Sequence, residues 1–193
     1  MIDFFDIVEL TTSTPEAFSA LLGDDSVAVP ADPANVGNGS LFRLDGLRIL
    51  LAEDNAVNQM LVILLLEKRN HVVCVAENGL MAVEKWEQEP FDVVLMDVQM
   101  PVMDGFEATQ IIRERESCSS RRIPIIAMTA HTLKGDRDRC LKAGMDDYVS
   151  KPIAAKQLYQ TIESAVALAT RHARLRNRDD EEGNGQTRHP AGR

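Results

Sequence analysis

Apolar residues fall into two alternating rhythms, but only from residue 47 onward. Leu47 to Ala52 is a nearly continuous apolar run, which predicts a buried strand. Val57, Met60, Leu61, Leu64 and Leu65 then recur at helical spacing, which predicts a helix resting that face on a core. Val62 and Leu66 fall on the opposite face, with Ile63 at the flank. Val72 to Ala76 repeats the strand signal, Asn78-Gly79 turns the chain, and Leu80, Val83 and Trp86 begin a second helix that stops before Pro90. A third strand follows at Asp92 to Met96, then a helix from about Gly105 to Arg115 carrying Phe106, Ile111 and Ile112. A polar loop with Ser117, Cys118, Ser119 and Ser120 leads into a fourth strand, Pro124 to Thr129. The fourth helix runs to about Ala143, where Gly144 suits the left-handed conformation that ends helices. Asp147 to Ser150 is a short fifth strand. The last helix begins near Ala154 and puts Leu158, Ile162, Ala165, Val166 and Ala169 on one face.

Five strands alternating with five helices predict an α/β fold: a doubly wound, five-stranded parallel sheet with helices on both faces and right-handed crossovers. This domain spans residues 47–172. Residues 1–46 carry eight acids and one base, Arg43, and are rich in Ala, Pro, Gly and Asn between Ala28 and Ser40. That is the composition of an extension or interdomain linker. Residues 173–193 are polar, lack apolar periodicity, and are expected to form a disordered tail.

Composition narrows the function. The 45% hydrophobic content is that of a globular protein, and the net charge of -9 argues against nucleic-acid or anionic-membrane binding, which need clustered positive charge. Cys74, Cys118 and Cys140 show no CxxC spacing, so neither a disulfide framework nor a zinc site is indicated. The longest apolar stretch, Leu61 to Leu66, is far too short for a membrane span, and no signal peptide opens the chain. A cytoplasmic location is expected.

In a parallel α/β sheet, ligands bind where the carboxyl ends of the strands converge. Here strand one is followed by Glu53-Asp54, strand three by Asp97, strand four by Thr129-Ala130 and strand five by Lys151-Pro152. Each alone has an ordinary reading, as a loop acid, a β-branched strand residue or a surface base. Their occurrence at four strand ends is harder to assign to chance. Three carboxylates repel one another without a cation, and hard oxygen ligands suit Mg²⁺. Asp54 and Asp97 would bind it directly, the backbone carbonyl of Gln99 could be a third ligand, and Glu53 would act through water. Mg²⁺ and Lys151 together would balance the three acids and admit a phosphoryl group, with Asp97 as the attacking carboxylate. The Thr129 hydroxyl, the Ala130 N–H and Lys151 would hold the phosphoryl oxygens.

The stretches Leu50-Leu-Ala-Glu53-Asp54-Asn55, Met96-Asp97-Val-Gln-Met-Pro-Val-Met-Asp-Gly105, Ala127-Met-Thr129-Ala130 and Asp147-Tyr148-Val-Ser-Lys151-Pro152 resemble the motifs of the response-regulator receiver domain. The resemblance covers about residues 47–170 and is especially close to receivers attached to hybrid sensor histidine kinases, through Glu53-Asp-Asn-Ala-Val-Asn58-Gln59 among others. It implies a flavodoxin-like strand order of 2-1-3-4-5 and a phosphoacceptor signalling domain rather than an enzyme. The implied donor is a histidine kinase or histidine phosphotransfer domain, with Mg²⁺ as cofactor and Asp97 as acceptor. Thr129 and Tyr148 would switch the surface of helix four, strand five and helix five, where any homodimer would form. Gln99 and His131 would tune hydrolysis of the acyl phosphate. Lys151-Pro152 corresponds to a peptide that is cis in this family. Val62 and Leu66 would form a docking patch for a phosphotransfer helix, unless the N-terminal extension covers them. The competing readings are a Mg²⁺-dependent phosphohydrolase of the haloacid-dehalogenase type, disfavoured because Gln99 stands where its second acid belongs, and a nonphosphorylated binding module. A nucleotide-binding sheet is weaker still, for want of GxGxxG or GxxxxGK[ST].

Overall fold

The computed structural model describes residues 46–117, 122–130 and 134–183. Residues 1–45 of the N-terminal extension, together with Cys118 and His131, lie outside the described residues. In chain order the elements are β1 (Arg48–Ala52), α1 (Ala56–Glu67), β2 (Val72–Ala76), α2 (Gly79–Gln88), β3 (Val93–Asp97), α3 (Gly105–Glu116), β4 (Ile125–Thr129), α4 (Lys134–Lys142), β5 (Asp147–Ser150) and α5 (Ala155–Gly183). The strands form one parallel sheet ordered β2-β1-β3-β4-β5, as the motifs implied. The chain therefore reverses its direction of winding between β1 and β3, the point of an open α/β sheet at whose carboxyl edge ligands bind.

Alternate residues of each strand feed two cores. On one face Ile49, Leu51, Val93, Leu95, Ile126 and Met128 pack with Val62, Leu65 and Leu66 of α1 and Leu158 and Ile162 of α5. On the other, Leu50, Ala52, Val94, Met96, Ile125 and Ala127 pack with Ala82 and Val83 of α2, Ala108 and Ile112 of α3 and Cys140 of α4. Central strands β3 and β4 are buried along their whole length, which explains their unbroken apolar runs.

The structure corrects the expected orientation of α1. Val62, Leu65 and Leu66 are buried, whereas Val57, Met60 and Leu64 are 45%, 52% and 39% exposed. Val62 and Leu66 therefore cannot form a docking patch. The helix is apolar nearly all round, so two stripes of helical spacing compete and periodicity alone cannot choose between them. Packing against the sheet and α5 decides it, and the Tyr159 hydroxyl donates to the Leu65 carbonyl at 2.7 Å across the contact with α5. In α2 the buried positions are Gly79, Ala82 and Val83, and Leu80 is exposed. Helix α5 continues to Gly183, through part of the segment expected to be disordered.

Two glycines have definite steric roles. Gly144 follows α4 at φ +98°, the left-handed helix end anticipated for it. Gly105 begins α3 so close to β3 that a Cβ would collide with the Asp97 carbonyl oxygen. This contact sets α3 tightly behind Asp97.

Candidate functional site

Neighbouring strands β1 and β3 end side by side, with Ala52 opposite Met96, so Glu53 and Asp54 leave the sheet next to Asp97. One carboxylate oxygen from each of these three acids lies within 4.8 Å of the others. Their surroundings differ. Glu53 is fully buried, Asp97 is 5% exposed, and Asp54 opens to solvent.

Lys151 follows β5, two strands from β3, and reaches back across the end of β4. Its Nζ lies 2.7 Å from Asp97 Oδ2 and 2.7 Å from Glu53 Oε2. The reach starts from a fixed backbone, because the Lys151 N–H donates to the Thr129 carbonyl at 2.8 Å. The Lys151-Pro152 peptide is cis.

Thr129 is buried as the last residue of β4, one position beyond the partner of Asp97, which is Met128. Ala130 is exposed beside it. The Gln99 side chain points outward, while its backbone N–H donates to Asp97 Oδ1 at 3.2 Å. Tyr148 is half-buried against the core on the α2, α3 and α4 side. The structure thus gathers Glu53, Asp54, Asp97 and Lys151 into one cluster, with Gln99 bonded to it and Thr129-Ala130 on the adjoining strand end.

The charges are unequal. Three carboxylates and one ammonium leave a formal -2, the charge that one Mg²⁺ cancels. Burial pushes the Asp97 carboxyl above its ordinary 3.8; the Lys151 hydrogen bond opposes this, and the Glu53 charge reinforces it. For Lys151 burial acts to lower the pKa, but the hydrogen bonds it donates to Asp97 and Glu53 outweigh it and raise the pKa above the ordinary 10.5. The donor set fits a small hard cation that keeps several waters: carboxylate oxygens only, gathered within 4.8 Å of one another. Asp54 opens to solvent, whereas Asp97 accepts from Gln99 and Lys151. Glu53 is the most heavily bonded of the three, with Asn55 and Asn58 on Oε1 and Lys151 on Oε2, which suits the indirect, water-mediated part expected of it.

Sequence reasoning missed how Glu53 is held. Its Oε1 accepts the Asn58 side-chain amide at 2.8 Å and the Asn55 N–H at 3.3 Å, and its backbone carbonyl accepts Gln59 Nε2 at 2.6 Å. The available signal was Asn58 at the third residue of α1, where a helix capped by Asn55 would ordinarily carry Glu or Gln.

Residues 49–163 match the family described as the response regulator receiver domain, more than half of the chain. The chain is 44% identical over 124 residues to hybrid signal transduction histidine kinase I of Dictyostelium discoideum, and 44% over 126 residues to the sensor protein GacS of Pseudomonas syringae. These alignments cover 62% and 65% of this chain but only 7% and 14% of the relatives, so the chain spans a small part of their length. Among solved structures it resembles the receiver domain of a Pseudomonas aeruginosa sensor histidine kinase, which holds a magnesium ion in its active-site cleft, at 41% identity and TM-score 0.58 over 63% of this chain and 98% of that one. A Saccharomyces cerevisiae receiver domain crystallised with a histidine phosphotransfer protein matches at 30% identity and TM-score 0.60 over 64% and 91%. The chain belongs to the response regulator receiver domain family, the phosphoacceptor signalling modules of two-component phosphorelays.

Proposed function

We propose that this domain takes a phosphoryl group from a phosphohistidine, on a histidine kinase or phosphotransfer domain, onto Asp97. The observation that carries the reading is the single Lys151 ammonium bridging Glu53 and Asp97 inside a cluster that keeps a formal -2. Such a site attracts a cation, and with the cation bound it can admit an anion. Asp54 and Asp97, with the Gln99 carbonyl, would hold Mg²⁺. When bound, the metal offsets the acids and polarises a phosphoryl oxygen.

An Asp97 carboxylate oxygen attacks phosphorus in line with the leaving imidazole. The new O–P bond forms as the P–N bond breaks, and the electron pair returns to the donor's ring nitrogen. The product acyl phosphate adds about one negative charge near neutral pH. Lys151 then turns from the carboxylates to a phosphoryl oxygen, and the Thr129 hydroxyl and Ala130 N–H donate to the others. Drawing Thr129 toward the phosphoryl group frees space for Tyr148 to turn, which couples the site to the surface of α4, β5 and α5. We assign any homodimer contact to that surface, and to Gln99 and His131 the rate at which water reaches the acyl phosphate.

For the donor we assign a docking face on α1. Val57, Met60 and Leu64 are exposed at i, i+3 and i+7, on a helix that starts directly after the acid pair. A phosphohistidine cannot reach Asp97 without its carrier covering this rim, and an apolar helical stripe fits a partner helix. We read residues 1–46 as linker or extension, and place the domain in the cytoplasm, where the thiols of Cys74 and Cys140 stay reduced. Among the described residues no helix is long and apolar enough to cross a membrane.

The test is transfer from a radiolabelled phosphohistidine protein to the purified chain in Mg²⁺. Label should move to this chain, and Met60→Asp should lower that rate roughly tenfold relative to labelling by a small acyl phosphate. A labelled donor that keeps its phosphoryl group under every condition overturns the reading.

A further inference from the structure

Glu53 is an acid with no exposure whose two oxygens have different partners. Oε2 faces the site and meets Lys151, whereas Oε1 faces α1 and meets the Asn58 amide. These two partners have different prospects. In the reaction above, Lys151 must leave Glu53 to follow the incoming phosphoryl group, so Oε2 loses its direct protein partner at the step when the site carries most negative charge. Asn58 has no such duty.

The start of α1 is built differently from that of α3. At α3 the cap is self-contained: Asp104 accepts the Glu107 N–H at 2.8 Å, and Glu107 reaches back to the Asp104 N–H at 3.2 Å. At α1 the Asn55 side chain likewise accepts from Val57 and Asn58, at 2.9 and 3.2 Å. The return bond is made by Glu53 instead, whose Oε1 takes the Asn55 N–H, and the third helical residue, Asn58, turns its amide onto that same oxygen. The first turn of α1 thus closes on an acid of the functional site rather than on itself.

We propose that Asn58 is a positioning residue for the Mg²⁺ and phosphoryl site, locking the Glu53 carboxylate so that Oε2 stays aimed at Asp97 whether or not Lys151 is bound to it. The inference rests on the function proposed above. Glu53 is itself an outer partner of the ion, a class whose loss typically weakens metal binding by ~10–100-fold, and misaiming it by loss of Asn58 takes the low end of that range. Gln59 supplies an internal control, because it holds the same residue by the backbone carbonyl and does not touch the carboxylate.

The experiment is calorimetric titration of the full chain with MgCl₂ alone, for wild type, Asn58→Ala and Gln59→Ala, alongside the Mg²⁺ concentration giving half-maximal labelling by a small acyl phosphate. Asn58→Ala should raise the Mg²⁺ Kd about tenfold and shift the half-maximal concentration by a similar factor, with the plateau rate at saturating Mg²⁺ kept within about twofold. Gln59→Ala should leave the Kd within about twofold of wild type while lowering Tm. Should Asn58→Ala not fold, Asn58→Ser is read instead; it keeps a polar helix start but is too short to reach Oε1. An unchanged Kd in a folded Asn58 variant overturns the proposal, and so does an equal rise in Gln59→Ala, which would indicate general loosening of the loop. If wild type neither binds Mg²⁺ nor accepts a phosphoryl group, it is the proposed function that fails.

Discussion

The sheet carries a charged cluster at each end, and the two are built on opposite accounting. At the amino ends of β4 and β5, Arg113 and Arg122 face Glu116 and Asp146, two cations for two anions. Arg113 donates to the Gly144 carbonyl at 2.8 Å, the Ile123 carbonyl at 2.9 Å and Asp146 at 2.7 Å, and pairs with Glu116. The carboxylates also take backbone N–H groups, Glu116 from Ile123 at 2.6 Å and Asp146 from Ile125 at 2.8 Å. At the carboxyl ends three acids stand against one ammonium, which pairs with Glu53 and Asp97. The first cluster is neutral, so it ties α3 to the approaches of β4 and β5 with no charge left over. The second keeps a deficit that the fold itself does not fill. Burial of charge is common to both, and only the imbalance marks a site that takes up ions.

Single substitutions should separate the two clusters, beginning with the largest effect. Lys151→Met leaves Glu53 and Asp97 without their shared cation, and should abolish stable acyl-phosphate formation and cost about 3 kcal/mol in denaturant unfolding without Mg²⁺. Added Mg²⁺ should restore part of that stability. Arg113→Met, at the balanced end, should cost a comparable ~3 kcal/mol by stranding buried Glu116, yet leave labelling by a small acyl phosphate unchanged. If labelling fell in step with stability, the clusters would not be independent. Asp54→Ala should weaken Mg²⁺ by at least ~10-fold in calorimetry and leave the melting temperature of the metal-free protein unchanged or raised, since it relieves repulsion.

The smallest effect is pH dependence in the absence of metal. The folded pKa of Asp97 is raised above its ordinary 3.8, so the folded state holds that proton more tightly than the unfolded chain does. Its contribution is favourable below about 3.8 and is lost as pH rises through the folded value. Denaturation midpoints in a chelator should therefore show wild type losing ground to Asp97→Asn as pH rises from the ordinary carboxyl range toward neutrality. Mg²⁺ should reverse that trend.

Much of this contrast could be read from residues in order. The strand runs at Leu47–Ala52 and Pro124–Thr129 are apolar because both their faces are covered, and the polar residues directly after them mark the edge where the sheet opens. Glu53, Asp54, Asp97 and Lys151 were therefore legible as a set. The orientation of α1 was not, because Val57, Met60 and Leu64 are as apolar as Val62, Leu65 and Leu66, and only the tertiary contacts with the sheet and α5 distinguish them. The hold of Asn58 on Glu53 was equally hidden: it depends on which way one amide turns at a helix start, and no spacing rule encodes that choice. The balanced cluster left still less trace, since Arg113 and Asp146 are far apart in sequence and meet only when β4 and β5 pair.

Intact-mass spectrometry of the chain after incubation with a small acyl phosphate, across a Mg²⁺ titration, tests most directly whether the deficit at the carboxyl edge exists to receive a metal and then a phosphoryl group. The account predicts a gain of one phosphoryl mass that rises with Mg²⁺, vanishes in chelator and is absent from Asp97→Asn. A gain of the same size without Mg²⁺, or on Asp97→Asn, would contradict it.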